Sequence, residues 1–358
     1  MNGSSRACRL SRLAMLLAVI PILGWDISDA IGQTQGQSEE PPQQLKSEGK
    51  SSGALAFLRL GAGARAQGMG RAFTALVAGD PSAPFWNPAG LGELKQSFAS
   101  LSGRFLQDAS FDTQFLTGTV ALPLGPRKGG LGINLLYYTV GEIQGFNEKA
   151  EFQGTFQNAE LAAIGSYGLR QGPVSIGVGV RYLSQKFSGP GLTGILAGAA
   201  KTNSGVGFDV GMLYQPTRDL SFGMMLRDGS DIGDIDHMLA GFSLGAGYSY
   251  RVHKWRSPVP IIRVAMDLEQ IKKRPLRMHL GTELALAYTE ELTFSLRGGI
   301  SDIFLENRAP GSPNGGVPGG NSKLTLGFGI KWNNWGLDAA FISEKLDSSS
   351  LLSLSFHR

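Results

Sequence analysis

From about residue 96 to the C-terminus, apolar residues alternate with polar, charged or small ones at a period of two. Val174, Ile176, Val178, Val180 and Tyr182 alternate with Ser175, Gly177, Gly179 and Arg181. Phe242, Leu244, Ala246, Tyr248 and Tyr250 alternate with Ser243, Gly245, Gly247, Ser249 and Arg251, and the same pattern recurs over 292–301 and 324–333. One apolar face and one small or polar face is the mark of a half-buried strand. Strands are predicted near 96–106, 111–124, 129–140, 158–170, 173–187, 203–215, 219–228, 240–252, 258–269, 276–288, 291–301, 322–332, 335–343 and 350–357. Most run roughly 10–13 residues, where a transmembrane strand needs about 9–11 and a soluble strand about 5–6. The pattern predicts an all-β fold, a membrane-spanning antiparallel up-and-down β-barrel of about 14 strands.

The connections alternate in length, as outer-membrane barrels do with short periplasmic turns and longer outward loops. Short links fall at Gln171-Gly172, 216–218, Thr289-Glu290 and Asn333-Asn334, and long ones at 141–157, 188–202, 229–239 and 302–321. Composition agrees. Charged residues are 17% and Gly is 51 of 358, fewer charges and more glycine than soluble domains carry. The net charge of +4 is spread along the chain, without the basic run of a nucleic-acid arm.

The segment ahead of the strands differs. Residues 1–30 read as a secretory signal peptide, with Arg6, Arg9 and Arg12 before the apolar run Leu13 to Trp25 and small residues at Ser28 and Ala30. Cys8, the one cysteine, would leave with it. Residues 31–53, rich in Gln, Ser, Gly and Glu, read as a disordered linker. Residues 54–95 form a Gly/Ala block, and 96–358 the barrel.

If the apolar face meets lipid, parity turns Arg181, Asp209, Arg227, Arg251, Arg263, Asp267, Arg277, Glu283, Arg297, Lys331 and Asp338 into the lumen. A cation facing lipid at the midplane costs about 2–4 kcal/mol. Cross-strand ion pairs among Arg263, Asp267, Arg277, Glu283 and Arg297 would neutralise the cluster. Tyr137, Tyr138, Tyr182, Tyr214, Tyr248, Tyr250, Tyr288, Trp332 and Trp335 gather near strand ends and suit interfacial girdles.

In the Gly/Ala block, Gly61, Gly63, Gly68 and Gly70 allow close backbone approach, and Asn87-Pro88 holds Asn87 extended. Gly61-Ala-Gly63 with Asp80 downstream imitates a dinucleotide fingerprint. That motif needs a βαβ unit, and nothing downstream alternates strand with helix.

The run Phe57-Leu58-Arg59-Leu60-Gly61, then Gly63-Ala64-Arg65-Ala66 with Gly68-Met69-Gly70, then Trp86-Asn87-Pro88-Ala89-Gly90-Leu91 resembles the N-terminal signature of the PorV/PorQ family of FadL-like outer-membrane barrels. A looser match includes Leu131-Gly132-Ile133-Asn134 and Gly141-Glu142-Ile143, so the resemblance spans roughly 54–358. It implies a 14-stranded barrel in the outer membrane of a diderm bacterium, with the N-terminal segment plugging the lumen as a hatch. The end Phe356-His357-Arg358 departs from the terminal aromatic of many such barrels.

Two functional readings stay open. A PorV-like component of type IX secretion would bind exported proteins or secretion-system components on outward loops such as 141–157 and 302–321. A FadL-like channel would admit a hydrophobic small molecule through an apolar pocket lined by Phe57, Leu58, Met69, Phe73, Phe85 and Trp86. Either is non-enzymatic, with membrane lipid around it and no cofactor, metal or nucleic acid implied. His237, His253, His279 and His357 lack metal-ligand spacing, and no Gly-x-Ser-x-Gly elbow is present.

Overall fold

Strands with one apolar and one polar face can satisfy every backbone group inside a bilayer only by closing on themselves. The computed structural model describes residues 56–106, 113–125, 127–147, 149–189, 202–232, 236–252, 257–272, 274–305, 322–343 and 348–358. The signal peptide and linker expected over 1–30 and 31–53, and most of the loops 188–202 and 302–321, lie outside the described residues.

The strands are β1 (Phe98–Leu106), β2 (Thr113–Pro123), β3 (Gly130–Phe146), β4 (Phe152–Gln171), β5 (Val174–Ser188), β6 (Thr202–Tyr214), β7 (Leu220–Arg227), β8 (Ser230–Ile232) and β9 (Asp236–Met238). They continue as β10 (Gly241–Arg251), β11 (Val259–Ile271), β12 (Arg277–Ala287), β13 (Leu292–Phe304), β14 (Lys323–Trp332), β15 (Trp335–Ser343) and β16 (Ser349–His357). All but β8 and β9 join in one closed antiparallel barrel of fourteen strands. Its seam pairs β1 with β16, from Phe98 against His357 to Leu106 against Ser349. The seam continues past the strands, where Ser97 and Arg358 exchange two backbone hydrogen bonds of 2.8 and 3.0 Å.

The outer face is a continuous apolar belt. Leu101, Ile133, Val180, Phe208, Leu326 and Leu337 all project outward and are half or more exposed. So large an exposed apolar surface is the lipid contact of a membrane barrel. Trp332, Trp335, Tyr248, Tyr250 and Tyr288 sit outward near the short-turn rim, where an aromatic girdle belongs. Tyr138, expected in that girdle, turns inward and stacks on Phe57 at 5.8 Å.

The hatch fills the lumen. Four short helical turns, Ala56–Leu60, Ala64–Gly68, Ala83–Trp86 and Pro88–Glu93, carry it. Ala62, Ala66, Met69, Phe73, Val77, Phe85, Ala89 and Leu91 are buried in one cluster with inward wall residues such as Leu136, Ala162, Ile164 and Leu213. Small residues on both sides let backbones meet. A Cβ on Gly70 would lie 2.6 Å from the Leu280 carbonyl oxygen and 2.7 Å from the Ile300 nitrogen.

Two outward segments differ from expectation. Most of 141–157 is strand rather than loop: β3 and β4 run on as a two-stranded ribbon beyond their other neighbours, through Ile143–Phe156 and Phe146–Phe152. Backbone pairing continues there without the barrel. The loop 229–239 turns inward instead of out. It forms the β8–β9 hairpin, and Ile232 is buried against the hatch core.

A cavity between hatch and wall

Several polar ties hold the hatch to the wall, and two of them stand out. Asn87, held extended ahead of Pro88, donates its amide to the carbonyls of Thr74 (3.0 Å), Met212 (3.1 Å) and Met224 (3.3 Å). Its Oδ1 accepts from the Ala89 N–H at 3.1 Å. One amide thus closes the hatch loop and pins it to β6 and β7. Trp86 Nε1 donates to the Ala62 carbonyl at 2.8 Å, joining the two halves of the hatch.

The second tie is ionic. Arg65 reaches Glu283 on β12 through Nε (3.0 Å) and Nη2 (3.2 Å), and Asp80 through Nη1 (2.9 Å). Glu283 also accepts from Arg297 Nε at 2.6 Å and from Arg263, and Arg297 reaches Asp338 at 2.6 Å. Three arginines face three carboxylates, so this buried network is neutral. The ion pairs expected between Arg263, Glu283 and Arg297 are present.

Other lumen charges settle differently. Asp267 pairs with neither Arg263 nor Arg277, because its Oδ2 accepts from the Phe73 and Thr74 N–H groups at 2.9 and 2.8 Å. Arg277 turns to Asp302 (2.9 Å) and Glu269 (3.7 Å). Arg181 pairs with Asp209 at 3.1 Å and donates to the Asp228 carbonyl, which draws the β8–β9 hairpin inward. Arg227 lies over the Phe85 ring at 5.1 Å and donates to its carbonyl. Arg251 and Lys331 keep inward parity but are exposed at the short-turn rim, where the strands end and water reaches them.

Glu269, Asp302 and the hatch cations Arg59 and Arg71 belong to this region and escaped the sequence reading. Asp302 follows inward Ser301 and is itself buried, at φ +56°. The register between β12 and β13 slips beside it, at Met278/Leu280. Period-two counting cannot see such a bulge. Glu269 had the right parity but stood at the edge of its predicted strand. Donor atoms of Glu269, His279 and Asp302 lie within 4.8 Å of one another. Arg71 and Arg277 contact both carboxylates, at 2.9–3.8 Å, so cations of the chain already occupy the place of a metal.

Between the hatch and strands β7 to β12 lies a cavity of about 100 Å³. Leu58, Phe85 and Trp86 line it from the hatch, with Met225, Met238 and Phe242 opposite. Phe57, Met69 and Phe73 do not line it. Phe57 is held between Tyr138 and Phe115, Met69 lies against wall glycines Gly281 and Gly299, and Phe73 packs edge-on to Trp86. Nor is the lining purely apolar: Arg59, Arg71, Arg227, Arg274, Asp267 and Glu269 share it.

No protein-family model matches the sequence, and no curated protein matches it. Solved structures do. The toluene transporter TodX of Pseudomonas putida aligns over 83% of this chain and 96% of its own, at 14% identity and a TM-score of 0.52. The toluene transporter TbuX of Ralstonia pickettii aligns over 83% and 98%, at 13% identity and a TM-score of 0.53. A FadL homologue of Pseudomonas aeruginosa aligns over 83% and 98%, at 14% identity and a TM-score of 0.51. At such identities the likeness is one of architecture, and the chain is therefore a membrane-spanning barrel of FadL-like fold.

Proposed function

We propose that this protein is an outer-membrane channel that takes up hydrophobic small molecules past its hatch, without catalysis. The observation that carries the reading is the cavity walled by Leu58, Phe85 and Trp86 on one side and Met225, Met238 and Phe242 on the other. An apolar pocket with a few convergent polar groups is the usual form of a small-molecule site. Its volume of about 100 Å³ is somewhat below the roughly 150 Å³ of an apolar cavity that holds benzene. A compact occupant suits it. The shared fold with toluene transporters agrees with this class of cargo.

The PorV/PorQ resemblance of residues 57–91 points instead to delivery of exported proteins. The solved structures of like fold lend it no support, and the ribbon made by much of 141–157 pairs its backbone internally, leaving less open loop for a partner than that reading needs.

The test is uptake of labelled toluene by cells whose outer leaflet is intact lipopolysaccharide. Expression of the protein is expected to speed uptake, and Ser243→Phe, which fills the cavity from β10, to abolish the gain. Equal uptake with and without the protein overturns the channel. Co-purification of exported proteins sharing a C-terminal β domain, lost when 141–157 or 302–321 is altered, would favour the secretion reading.

A further inference from the structure

The charge of the cavity is unbalanced. Four arginines line it, Arg59, Arg71, Arg227 and Arg274, against two carboxylates, Asp267 and Glu269. Both carboxylates are already engaged, Glu269 with cavity residues Arg71 and His279 among its partners. Asp267 receives the amides of Phe73 and Thr74, and Glu269 lies 3.4–3.7 Å from His279, Arg71 and Arg277. Arg227 has Asp209 at 3.8 Å and the Phe85 carbonyl at 2.8 Å.

Arg59 is left over. Its Nε is buried without a hydrogen-bond partner, and no carboxylate among the described residues lies within ion-pair reach of its guanidinium. Burial, together with the like charges of Arg277, Arg71 and Arg274, lowers its pKa to about 10. Arg59 is half-buried, with Asp302 the one carboxylate that opposes the neighbouring cations, and a partly desolvated cation among cations is unfavourable unless something neutralises it. The surrounding surface is aromatic as well as cationic: Arg71 lies over the Trp86 ring at 5.8 Å and Arg227 over Phe85 at 5.1 Å. Arg71 and Arg227 already spend their N–H groups on Glu269, Asp302, Asp209 and the Phe85 carbonyl, which leaves Arg59 and Arg274 to face a planar, two-oxygen acceptor.

We propose that this cavity binds a compact aromatic carboxylate, its charge met by Arg59 and Arg274 and its ring held against Phe85, Trp86 and Phe242. The inference deepens the channel reading, because it uses the same cavity and adds an acidic group to the cargo. A carboxylate supplies the missing counter-charge, and the volume of about 100 Å³ admits no more than a single ring.

The test is calorimetric titration of the purified, folded barrel in detergent at fixed ionic strength, with benzoate, toluene and inorganic phosphate as probes. Benzoate is expected to bind at one site and more tightly than toluene. Arg59→Gln is expected to weaken benzoate ten-fold or more, leave toluene unchanged and leave the melting temperature no lower than wild type. Arg59→Lys should recover part of the affinity. If Arg59→Gln does not fold, Arg274→Gln carries the same comparison. Benzoate binding no tighter than toluene, or unaltered by the substitution, overturns the proposal. So does phosphate binding as tightly as benzoate, since the aromatic wall would then take no part. Loss of toluene uptake in cells with benzoate binding intact would sink the channel and keep the acid site. The reverse result would keep the channel alone.

Discussion

Arg65 grips Glu283 with two nitrogens, at 3.0 and 3.2 Å, across 218 positions of sequence. Glu283 is the common anion of Arg65, Arg263 and Arg297, so its removal orphans Arg263 and leaves Arg65 and Arg297 with one carboxylate each, Asp80 and Asp338. Glu283→Ala is expected to destabilise the folded barrel by about 3–5 kcal/mol, the usual cost of orphaning a buried charge. Urea unfolding in lipid vesicles measures it. A loss below about 1 kcal/mol would mean that water already screens the network.

Asn87 makes four hydrogen bonds with one side chain. Asn87→Ala leaves the Thr74, Met212 and Met224 carbonyls without that donor, at a cost of about 1–3 kcal/mol for buried groups left unmade. Asn87→Asp should cost more, since it aims a carboxylate at three carbonyl oxygens. Limited proteolysis between residues 74 and 95 reports the loss. Protection equal to wild type in both variants would refute the pin.

Gly70 has φ +59° and no room for a side chain beside Leu280 and Ile300. Gly70→Val combines backbone strain with overpacking, each worth about 1–3 kcal/mol. The expected outcome is a barrel that still forms but whose hatch is cut by protease from the short-turn side. A protected hatch would show that the wall yields.

Glu93 sits at the short-turn rim with Arg170 at 2.7 Å. Burial raises its pKa, and Arg170 only partly opposes this. The folded state therefore holds the proton more tightly than the unfolded chain. Stability should rise as pH falls from neutral through the folded pKa toward the unfolded value near 4.5, and the penalty is complete above the folded pKa. Glu93→Gln should lack this increment. Parallel pH profiles for the two proteins would count against it.

Val180 points outward midway along β5 and is half exposed. Val180→Arg places a cation against lipid, at an expected cost of about 2–4 kcal/mol. Folding yield in vesicles of rising bilayer thickness checks it, and an unchanged yield would argue that this face meets water.

The strands were legible because lipid outside and a packed lumen inside enforce strict alternation. The run from Val174 to Tyr182 reads correctly without any tertiary information. The signature residues Gly70 and Asn87 were visible, but their partners were not: Ile300 and Met212 are far away in sequence, and nothing local marks them. Asp302 falls just past the predicted strand 291–301, in what reads as a loop, whereas the strand runs on to Phe304, and an apolar residue in a plug, such as Phe57, Met69 or Phe73, reads the same whether it faces a void or a wall. The cationic side of the cavity was missed for a plainer reason. Arg59 and Arg71 belong to the hatch, and parity gives a direction only to residues of a strand.

The seam has a consequence for how the molecule is made. Ser97 and Arg358 meet at one rim, and the hatch enters the lumen directly beside that join. Synthesis delivers the hatch before any strand, and β16 after the other strands. Closing β1 onto β16 spans about 250 positions, the kind of long-range pairing that forms slowly. Until it forms, the sheet is an open gutter in which the hatch can be laid sideways against β11 to β14. Afterwards the same segment could enter only lengthwise, through the mouth of a closed ring. The topology thus favours one order of assembly, with the stopper set before the vessel is closed.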